Sequence, residues 1–296
     1  MHTTVLLKES IDALGLERGD VLVDGTLGAG GHSEEVCSRF GQGVKIFAFD
    51  LDVDAIDRAK ARLDDKGCNV TYHQENFKNL DKVLTEGKVS GVDGVLLDLG
   101  FSSDQLESSG RGISFKNEEP LLMTLKKQIT PAEFDASDIV NGWDEEDIAN
   151  VIYSYGEERF ARRIAREIVE AREKGPIKTT TQLVEIIMNA VPAFYKKGRI
   201  HPATKTFQAL RIAVNDELEN LRTALSKGFD ALLPDGRFAV IAFHSLEDRI
   251  VKNFFRDKAR EKEALLITKK PIIPSDEEMR ENPRSRSAKL RIIQKI

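Results

Sequence analysis

Residues 24–33 have the sequence DGTLGAGGHS and directly follow the apolar run VLV at positions 21–23. A short apolar run ending in an acid is typical of a buried β-strand, and glycines let a backbone approach a ligand closely. Ser33 is a favourable N-cap residue, so we expect a helix to begin there. A strand, a glycine loop and a helix N-terminus in this order offer backbone N–H groups to a ligand. The stretch predicts an α/β fold with a nucleotide-type site.

The flanking sequence extends this pattern into a sheet. β-rich runs at 44–50, 69–73 and 92–98 alternate with helical patterns, as expected for parallel strands joined by crossover helices. Further strands are predicted at 237–243 and 290–293. Between about 105 and 202 the periodicity is purely helical. We therefore predict a discontinuous sheet domain, 1–104 with 203–296, and an inserted helical domain, 105–202.

Apolar residues after Pro202 recur every three or four positions from Phe207 to Leu232. This spacing predicts one long amphipathic helix that returns the chain to the sheet.

Composition excludes several classes of protein. The charged fraction is 31% and the hydrophobic fraction 41%, which fits an ordinary globular protein without a membrane span. The N-terminus lacks the pattern of a secretory signal, so we expect a cytoplasmic protein. Cys37 and Cys68 lack metal-ligand spacing, so we interpret them as buried thiols and predict no metal site.

Charge is distributed unevenly despite the net value of −5. Residues 130–158 contain nine acids and no Lys or Arg, whereas residues 193–214 contain five bases and no acid. Such clusters are often only solvated faces, but a basic segment can also hold phosphates. The candidate phosphate ligands are Lys196, Lys197, Arg199, Lys205 and Arg211, together with the Arg-rich C-terminal tail.

The glycine loop alone does not identify its ligand. A dinucleotide-binding loop would have a third glycine where this chain has Ser33, which disfavours a nicotinamide cofactor. The second predicted strand ends in Asp50, where a carboxylate can accept hydrogen bonds from both ribose hydroxyls of a nucleoside. We assign Asp54 to helix capping and Asp52 to a solvated turn.

A second group of polar residues follows the fourth predicted strand. Asp98 is followed by Phe101, Ser102 and Ser103 at the carboxyl edge, where such sheets bind ligands. Asp98 is a natural acceptor for an exocyclic amine, and Phe101 with Ser102 are candidate substrate contacts. No nucleophile-elbow motif surrounds the serines.

The fifth predicted strand leads into His244, with Arg249 nearby. His244 is either a general base or a residue that caps and orients a loop, and the sequence leaves both open. Arg249 is a further candidate substrate contact.

Taken together, these motifs resemble the bacterial small-subunit ribosomal RNA cytosine-N4 methyltransferase family (RsmH/MraW). The matching stretches span almost the whole chain: residues 2–7, 24–33, 97–100, 102–103, 105–106, 111–112, 114–115, 155–161, 201–204, 243–252 and 282–284.

The resemblance implies a Rossmann-like class I methyltransferase sheet of seven strands with an inserted helical domain. It implies S-adenosylmethionine as cofactor and a cytosine of 16S ribosomal RNA in the small subunit as target; a homodimer remains open. The cofactor contacts that it implies are Gly30, Gly31, His32, Asp50, Phe77, Asp98 and Gln105.

One segment departs from the family pattern. Where the family has Pro-Leu-Asp-Met-Arg-Met, residues 120–125 have PLLMTL, which removes an acid and an arginine. We expect the change to affect substrate engagement rather than cofactor binding. This departure leaves open a non-catalytic RNA-binding or ribosome-assembly paralogue. A nicotinamide-dependent oxidoreductase is a separate, third alternative.

Overall fold

The computed structural model describes residues 4–100, 110–126 and 133–296, and the chain divides into two compact units. One unit contains Met1–Ser102 and Leu218–Ile296, and the other contains Ser103–Glu217. Within the described residues, the first unit has a seven-stranded sheet of order β3-β2-β1-β4-β5-β7-β6. The strands are β1 Val21–Asp24, β2 Lys45–Asp50, β3 Val70–Gln74, β4 Val92–Asp98, β5 Leu232–Ala242, β6 Ala264–Leu266 and β7 Lys289–Lys295.

Strands β1 to β5 are parallel, whereas β7 runs antiparallel to both β5 and β6. This confirms the predicted Rossmann-like methyltransferase sheet. The three-residue strand β6 was not recognised in the sequence, because so short a run carries no periodicity. The order β2-β1-β4 places the carboxyl ends of these three strands side by side, at the edge where open α/β sheets bind ligands.

The helices of this unit are α1 Leu7–Leu14, α2 Gly31–Phe40, α3 Val53–Asp64, α4 Leu80–Glu86, α11 Glu217–Ala231, α12 Ser245–Arg260 and α13 Asp276–Glu281. Successive strand residues alternate between two hydrophobic clusters. Leu22 and Leu96 belong to the cluster with α1, α2 and α3, whereas Val23 and Leu97 belong to the cluster with α4, α11 and α12. The sheet is therefore covered by helices on both faces, which explains its nearly continuous apolar strands.

The second unit is helical, with α5 Ala136–Gly142, α6 Glu145–Gly156, α7 Ala161–Arg172, α8 Thr180–Ala190, α9 Ala193–Lys196 and α10 Ala203–Asn215. It has its own hydrophobic core, which includes Ile152, Ile164, Leu183 and Leu210.

The predicted long helix after Pro202 was wrong, because the structure has two helices there. Helix α10 ends where Asp216 adopts a left-handed conformation with φ of 50°, and α11 begins at Glu217. Phe207 and Leu210 of α10 lie in the core of the helical unit. The boundary between the units thus follows residue 217, rather than residue 202 as expected. Hydrophobic periodicity missed the break because the apolar spacing continues across it.

The prediction of two free, buried thiols was also wrong, because Cys37 and Cys68 form a disulfide bond. Cys37 lies in α2 and Cys68 lies just before β3, with their Cα atoms 5.5 Å apart. The sequence separation of 31 residues gave no sign of this proximity, which depends on how α2 and β3 pack. The disulfide ties the helix after the glycine loop to the neighbouring edge of the sheet.

Among the described residues, no helix combines the length and the apolar character needed to cross a membrane.

Candidate cofactor and active site

Asp24 anchors the glycine loop at the end of β1. Its side chain is almost completely buried and accepts hydrogen bonds from the Ser33 hydroxyl at 2.6 Å and the Thr26 amide at 3.2 Å. Burial raises the pKa of Asp24 to about 6, against the opposing effect of these hydrogen bonds. The expectation that Ser33 caps the helix was wrong: α2 begins at Gly31 with Gly30 as its N-cap, and Ser33 supports Asp24 instead.

The loop between β1 and α2 depends on backbone conformations that favour glycine. Gly28 and Gly30 have φ of 52° and 79°, in the left-handed region. Gly31 has no room for a side chain, since a Cβ there would collide with the Thr4 hydroxyl. The loop is thus a close-packed backbone cradle at the N-terminus of α2, suited to a nucleotide-type ligand.

Asp50, at the end of β2, holds the loop from the adjacent strand. One carboxylate oxygen accepts the Gly28 amide at 2.9 Å and the other accepts the Asp52 amide at 2.8 Å. Burial raises the pKa of Asp50. A carboxylate oxygen can accept two hydrogen bonds, so the geometry leaves capacity for the predicted ribose hydroxyls.

The assignments of Asp52 and Asp54 were reversed in the sequence interpretation. Asp52 is buried, and its carboxylate accepts the Asp54 amide at 3.0 Å as the N-cap of α3. The helix begins at Val53, two residues earlier than expected, so Asp52 is the capping residue.

Asp98 lies at the end of β4, beside the loop. Its amide donates to the Thr26 hydroxyl at 2.6 Å, and its Oδ1 accepts the Gly100 amide at 3.1 Å. Its Oδ2 is 3.9 Å from Nδ1 of His32, a residue only 5% exposed. The Asp98 side chain itself is 19% exposed. The carboxyl is therefore fixed by the backbone yet remains partly accessible.

Burial raises the pKa of Asp98 to about 7, and the nearby charges of Asp24 and Glu247 contribute in the same direction. A carboxyl with this pKa exchanges its proton near neutral pH, as expected of a group that takes part in proton transfer. Ionised, it can accept hydrogen bonds from an amine.

Phe77 lies beside the start of the loop, in a short 3-10 turn at Phe77–Asn79. A Cβ added to Gly25 would lie 3.1 Å from the Phe77 Cβ and would collide with Leu97. The structure thus brings Phe77 to the same strand ends as Asp24, Asp50 and Asp98, although its sequence position, far from the loop, does not reveal this.

His244 is the N-cap of α12. Its Nδ1 accepts the Glu247 amide at 3.4 Å, and its Nε2 is 3.1 Å from Glu247 Oε1. The Glu247 carboxylate accepts the His244 amide at 3.3 Å, which completes a capping box, and it also accepts the Phe243 amide at 2.8 Å. Of the two roles left open by the sequence, this geometry favours capping; the catalytic role stays a prediction. Arg249 is exposed on the same helix.

The predicted RNA contacts in the helical unit differ in their surroundings. Lys205 is half-buried and its Nζ donates to the Glu157 carbonyl at 2.8 Å. Arg211 is mostly buried and forms a two-point ion pair with Glu217, at 2.8 and 3.1 Å. Phosphate binding by Arg211 would require this ion pair to open, so Lys205 is the better placed of the two. Phe101, Ser102 and Gln105 lie outside the described residues.

The segment that departs from the family pattern is part of the framework of the helical unit. The Asn215 side chain forms two hydrogen bonds with the backbone of this segment: it donates to the Met123 carbonyl at 2.7 Å and accepts the Leu125 amide at 2.8 Å. Leu121 donates to the Lys178 carbonyl, and both Leu121 and Met123 are buried. The altered residues therefore lie in a segment fixed by its own unit.

Sequence reasoning missed two residues that shape the site, Thr26 and Glu247. Thr26 links the loop to Asp98, and Glu247 organises the turn after β5. The adjacency of β1 and β4 would point to Thr26, because a hydroxyl at the end of one strand reaches the backbone of the next.

The sheet order, the glycine cradle and the acids at three adjacent strand ends define a class I methyltransferase. A crystal structure of a Clostridium thermocellum protein provisionally named an rRNA methylase has the same fold, with a TM-score of 0.50, 16% identity and full coverage of both chains. The MraW methylase family model matches residues 1–296, and the chain belongs to this family. It is thus an S-adenosylmethionine-dependent methyltransferase, which overturns the oxidoreductase alternative.

Two relatives are similar over their whole length. A Brevibacillus brevis protein is 44% identical, covering 100% of this chain and 98% of its own, and a Clostridium botulinum protein is 45% identical with 100% and 99% coverage. Both are named ribosomal RNA small subunit methyltransferase H.

Proposed function

We propose that this protein transfers a methyl group from S-adenosylmethionine to the exocyclic N4 amine of a cytosine in the 16S ribosomal RNA of the small subunit. The observation that carries the proposal is Asp98, a partly accessible carboxyl with a raised pKa beside the glycine cradle. The names of the two relatives support a ribosomal RNA substrate. Such a substrate would make the cytoplasm the place of reaction.

The residues present fit the cofactor. Gly28 and Gly30 add no side chains to the loop, and Asp50 retains acceptor capacity for ribose hydroxyls. Gly31, His32 and Phe77 complete the proposed contacts within the described residues. When bound, S-adenosylmethionine supplies an electrophilic methyl group.

Asp98 has two proposed tasks. The cytosine amine is a weak nucleophile because its lone pair is delocalised into the ring, so orientation must supply much of the rate. Ionised Asp98 accepts a hydrogen bond from the amine and fixes the direction of its lone pair. As the new N–C bond forms, the nitrogen loses a proton, and a carboxylate with a pKa of about 7 can accept it.

The test is transfer of a tritiated methyl group to isolated small subunits, followed by digestion and nucleoside identification. We expect label in N4-methylcytidine with the unchanged protein and none with Asp98→Ala, whose fold is checked by circular dichroism. Label in another nucleoside would refute the assigned base. Full transfer by Asp98→Ala would refute the role of this residue.

The non-catalytic paralogue predicts a different result in the same experiment. It would bind small subunits without labelling them. Among the residues that the structure describes, the contacts of residues 120–125 lie within the helical unit and do not favour this alternative.

A further inference from the structure

An aromatic cluster on the helical unit is not used by the proposed chemistry. It consists of Arg159, Phe160, Phe194 and Tyr195, from the chain before α7 and from α9. The Arg159 guanidinium carbon lies over all three rings, 4.8 Å from the centroid of Phe160, 5.4 Å from Phe194 and 5.0 Å from Tyr195. These distances are those of cation–π contacts.

The part of the cluster that packs against the helical core is rigid. Glu158 is completely buried; its carboxylate accepts the Phe160 amide at 2.9 Å and the Tyr195 hydroxyl. Phe160 and Tyr195 pack against the core of the unit and meet edge to face, with centroids 5.0 Å apart. The position of Arg159 is therefore set by groups that are themselves fixed.

Phe194 differs from its neighbours because it is 64% exposed. Its ring meets Phe160 edge to face, with the ring centroids 6.3 Å apart, and the Arg159 guanidinium lies over it. A large apolar ring that a fixed set of neighbours holds exposed to solvent costs hydration free energy without contributing much to the core. This arrangement indicates a contact surface.

The charge around Phe194 indicates what the surface contacts. Lys196, Lys197 and Arg199 follow it within five residues and are all exposed, and no acid occurs between residues 193 and 214. An exposed aromatic ring, a guanidinium plane and a run of cations are the features by which proteins bind unpaired nucleotides. The rings stack on the base, while the cations neutralise phosphates.

We infer that Phe194 and Arg159 form a stacking platform for an unpaired RNA nucleotide outside the methylated base, with Lys196, Lys197 and Arg199 contacting the adjoining phosphates. The inference rests on the proposed RNA substrate and adds a second point of contact to it. Stacking on this platform would contribute to substrate binding and not to the methyl-transfer step.

The test compares Phe194→Ala with Tyr153→Ala. Tyr153 is a matched control because it is 66% exposed on α6 of the same unit, but its helix begins with Glu145, Glu146 and Asp147. Binding of a fluorescein-labelled, unstructured RNA is measured by anisotropy at several salt concentrations. Methyl transfer to small subunits gives KM and kcat, and calorimetry gives the affinity for S-adenosylmethionine.

We expect Phe194→Ala to weaken RNA binding by roughly 5- to 100-fold, the range for loss of one stacked base. Its KM for small subunits should rise, with kcat and cofactor affinity unchanged. Its salt dependence should match that of the unchanged protein, because no charge is removed. Lys196→Ala with Lys197→Ala should instead reduce the salt dependence. Phe194→Trp should retain binding, and Tyr153→Ala should behave as the unchanged protein.

Equal RNA affinity of Phe194→Ala and the unchanged protein would overturn the inference, even where methyl transfer proceeds and the proposed function stands. Weaker binding to whole subunits without weaker binding to RNA would also overturn it, in favour of a protein contact. Loss of methyl transfer to RNA in the unchanged protein would refute the proposed function, while a stacking effect on RNA affinity would still be measurable.

Discussion

Replacing Asp98 with Asn should abolish methyl transfer and at the same time make the protein more stable at neutral and higher pH. Asn keeps an acceptor oxygen for the Gly100 amide but cannot ionise or take up a proton. The folded protein holds Asp98 where burial opposes its charge, and its pKa is raised from 3.8 to about 7. Removing that charge removes a cost of folding.

The direction in which stability changes with pH follows from proton binding. Because the pKa is higher in the folded state, the folded protein binds this proton more tightly than the unfolded chain does. The stabilisation that protonated Asp98 gives the folded protein is fully present below about pH 4 and is lost as the pH rises towards 7. Each pKa unit corresponds to about 1.4 kcal/mol, so ionised Asp98 destabilises the fold by up to about 4 kcal/mol well above pH 7. Exposure of the side chain and its coupling to Asp24 make this an upper limit.

The assay is denaturant unfolding of both proteins at pH 5 and pH 8. The stabilisation by Asp98→Asn should be larger at pH 8 by roughly 2 to 3 kcal/mol. The unchanged protein should lose transfer activity as the pH falls below 7, because protonated Asp98 no longer accepts from the amine. An equal stability difference at both pH values would refute the raised pKa. Full activity of Asp98→Asn would refute its role as proton acceptor.

Two further predictions concern the framework of the cofactor site. Reduction of the Cys37–Cys68 disulfide should lower the free energy of unfolding by about 3 to 4 kcal/mol, as loop closure over 31 residues implies. The stability of the double variant Cys37→Ser, Cys68→Ser should not change with reductant. Two alkylatable thiols in the unreduced native protein would contradict the bond. Gly31→Ala should destabilise the fold by about 1 to 3 kcal/mol and weaken cofactor affinity, because its methyl group must displace Thr4. Adding Thr4→Gly to this variant should restore part of the stability and part of the affinity. Unchanged affinity and stability of Gly31→Ala would show that the Thr4 contact does not constrain the loop.

The acids of the site could be predicted because each ends a strand. Asp24, Asp50 and Asp98 follow buried apolar runs, and a parallel sheet brings such ends to one edge. What they contact could not be predicted in the same way. The Ser33 hydroxyl donates to Asp24 because α2 begins at Gly31, two residues before Ser33, and Ser33 is therefore inside the helix rather than at its N-cap.

Long-range packing accounts for the remaining differences. The helix break at Asp216 lies inside an uninterrupted apolar pattern, and only the separate cores of the two units require it. The Cys37–Cys68 bond likewise depends on how α2 and β3 meet. Periodicity reports which face of an element is buried, but not which core buries it.

Burial opposes the charges of the two acids nearest the loop, Asp24 and Asp98. Burial raises the pKa of both carboxyls, and the charge of Asp24 raises the pKa of Asp98 further. A cationic ligand bound at this edge favours the ionised form of a neighbouring carboxyl and so lowers its pKa. Binding of S-adenosylmethionine is therefore expected to release protons near neutral pH and to convert Asp98 into the acceptor that the amine requires. The folding cost of ionised Asp98 and its proposed function as an acceptor thus have the same electrostatic origin.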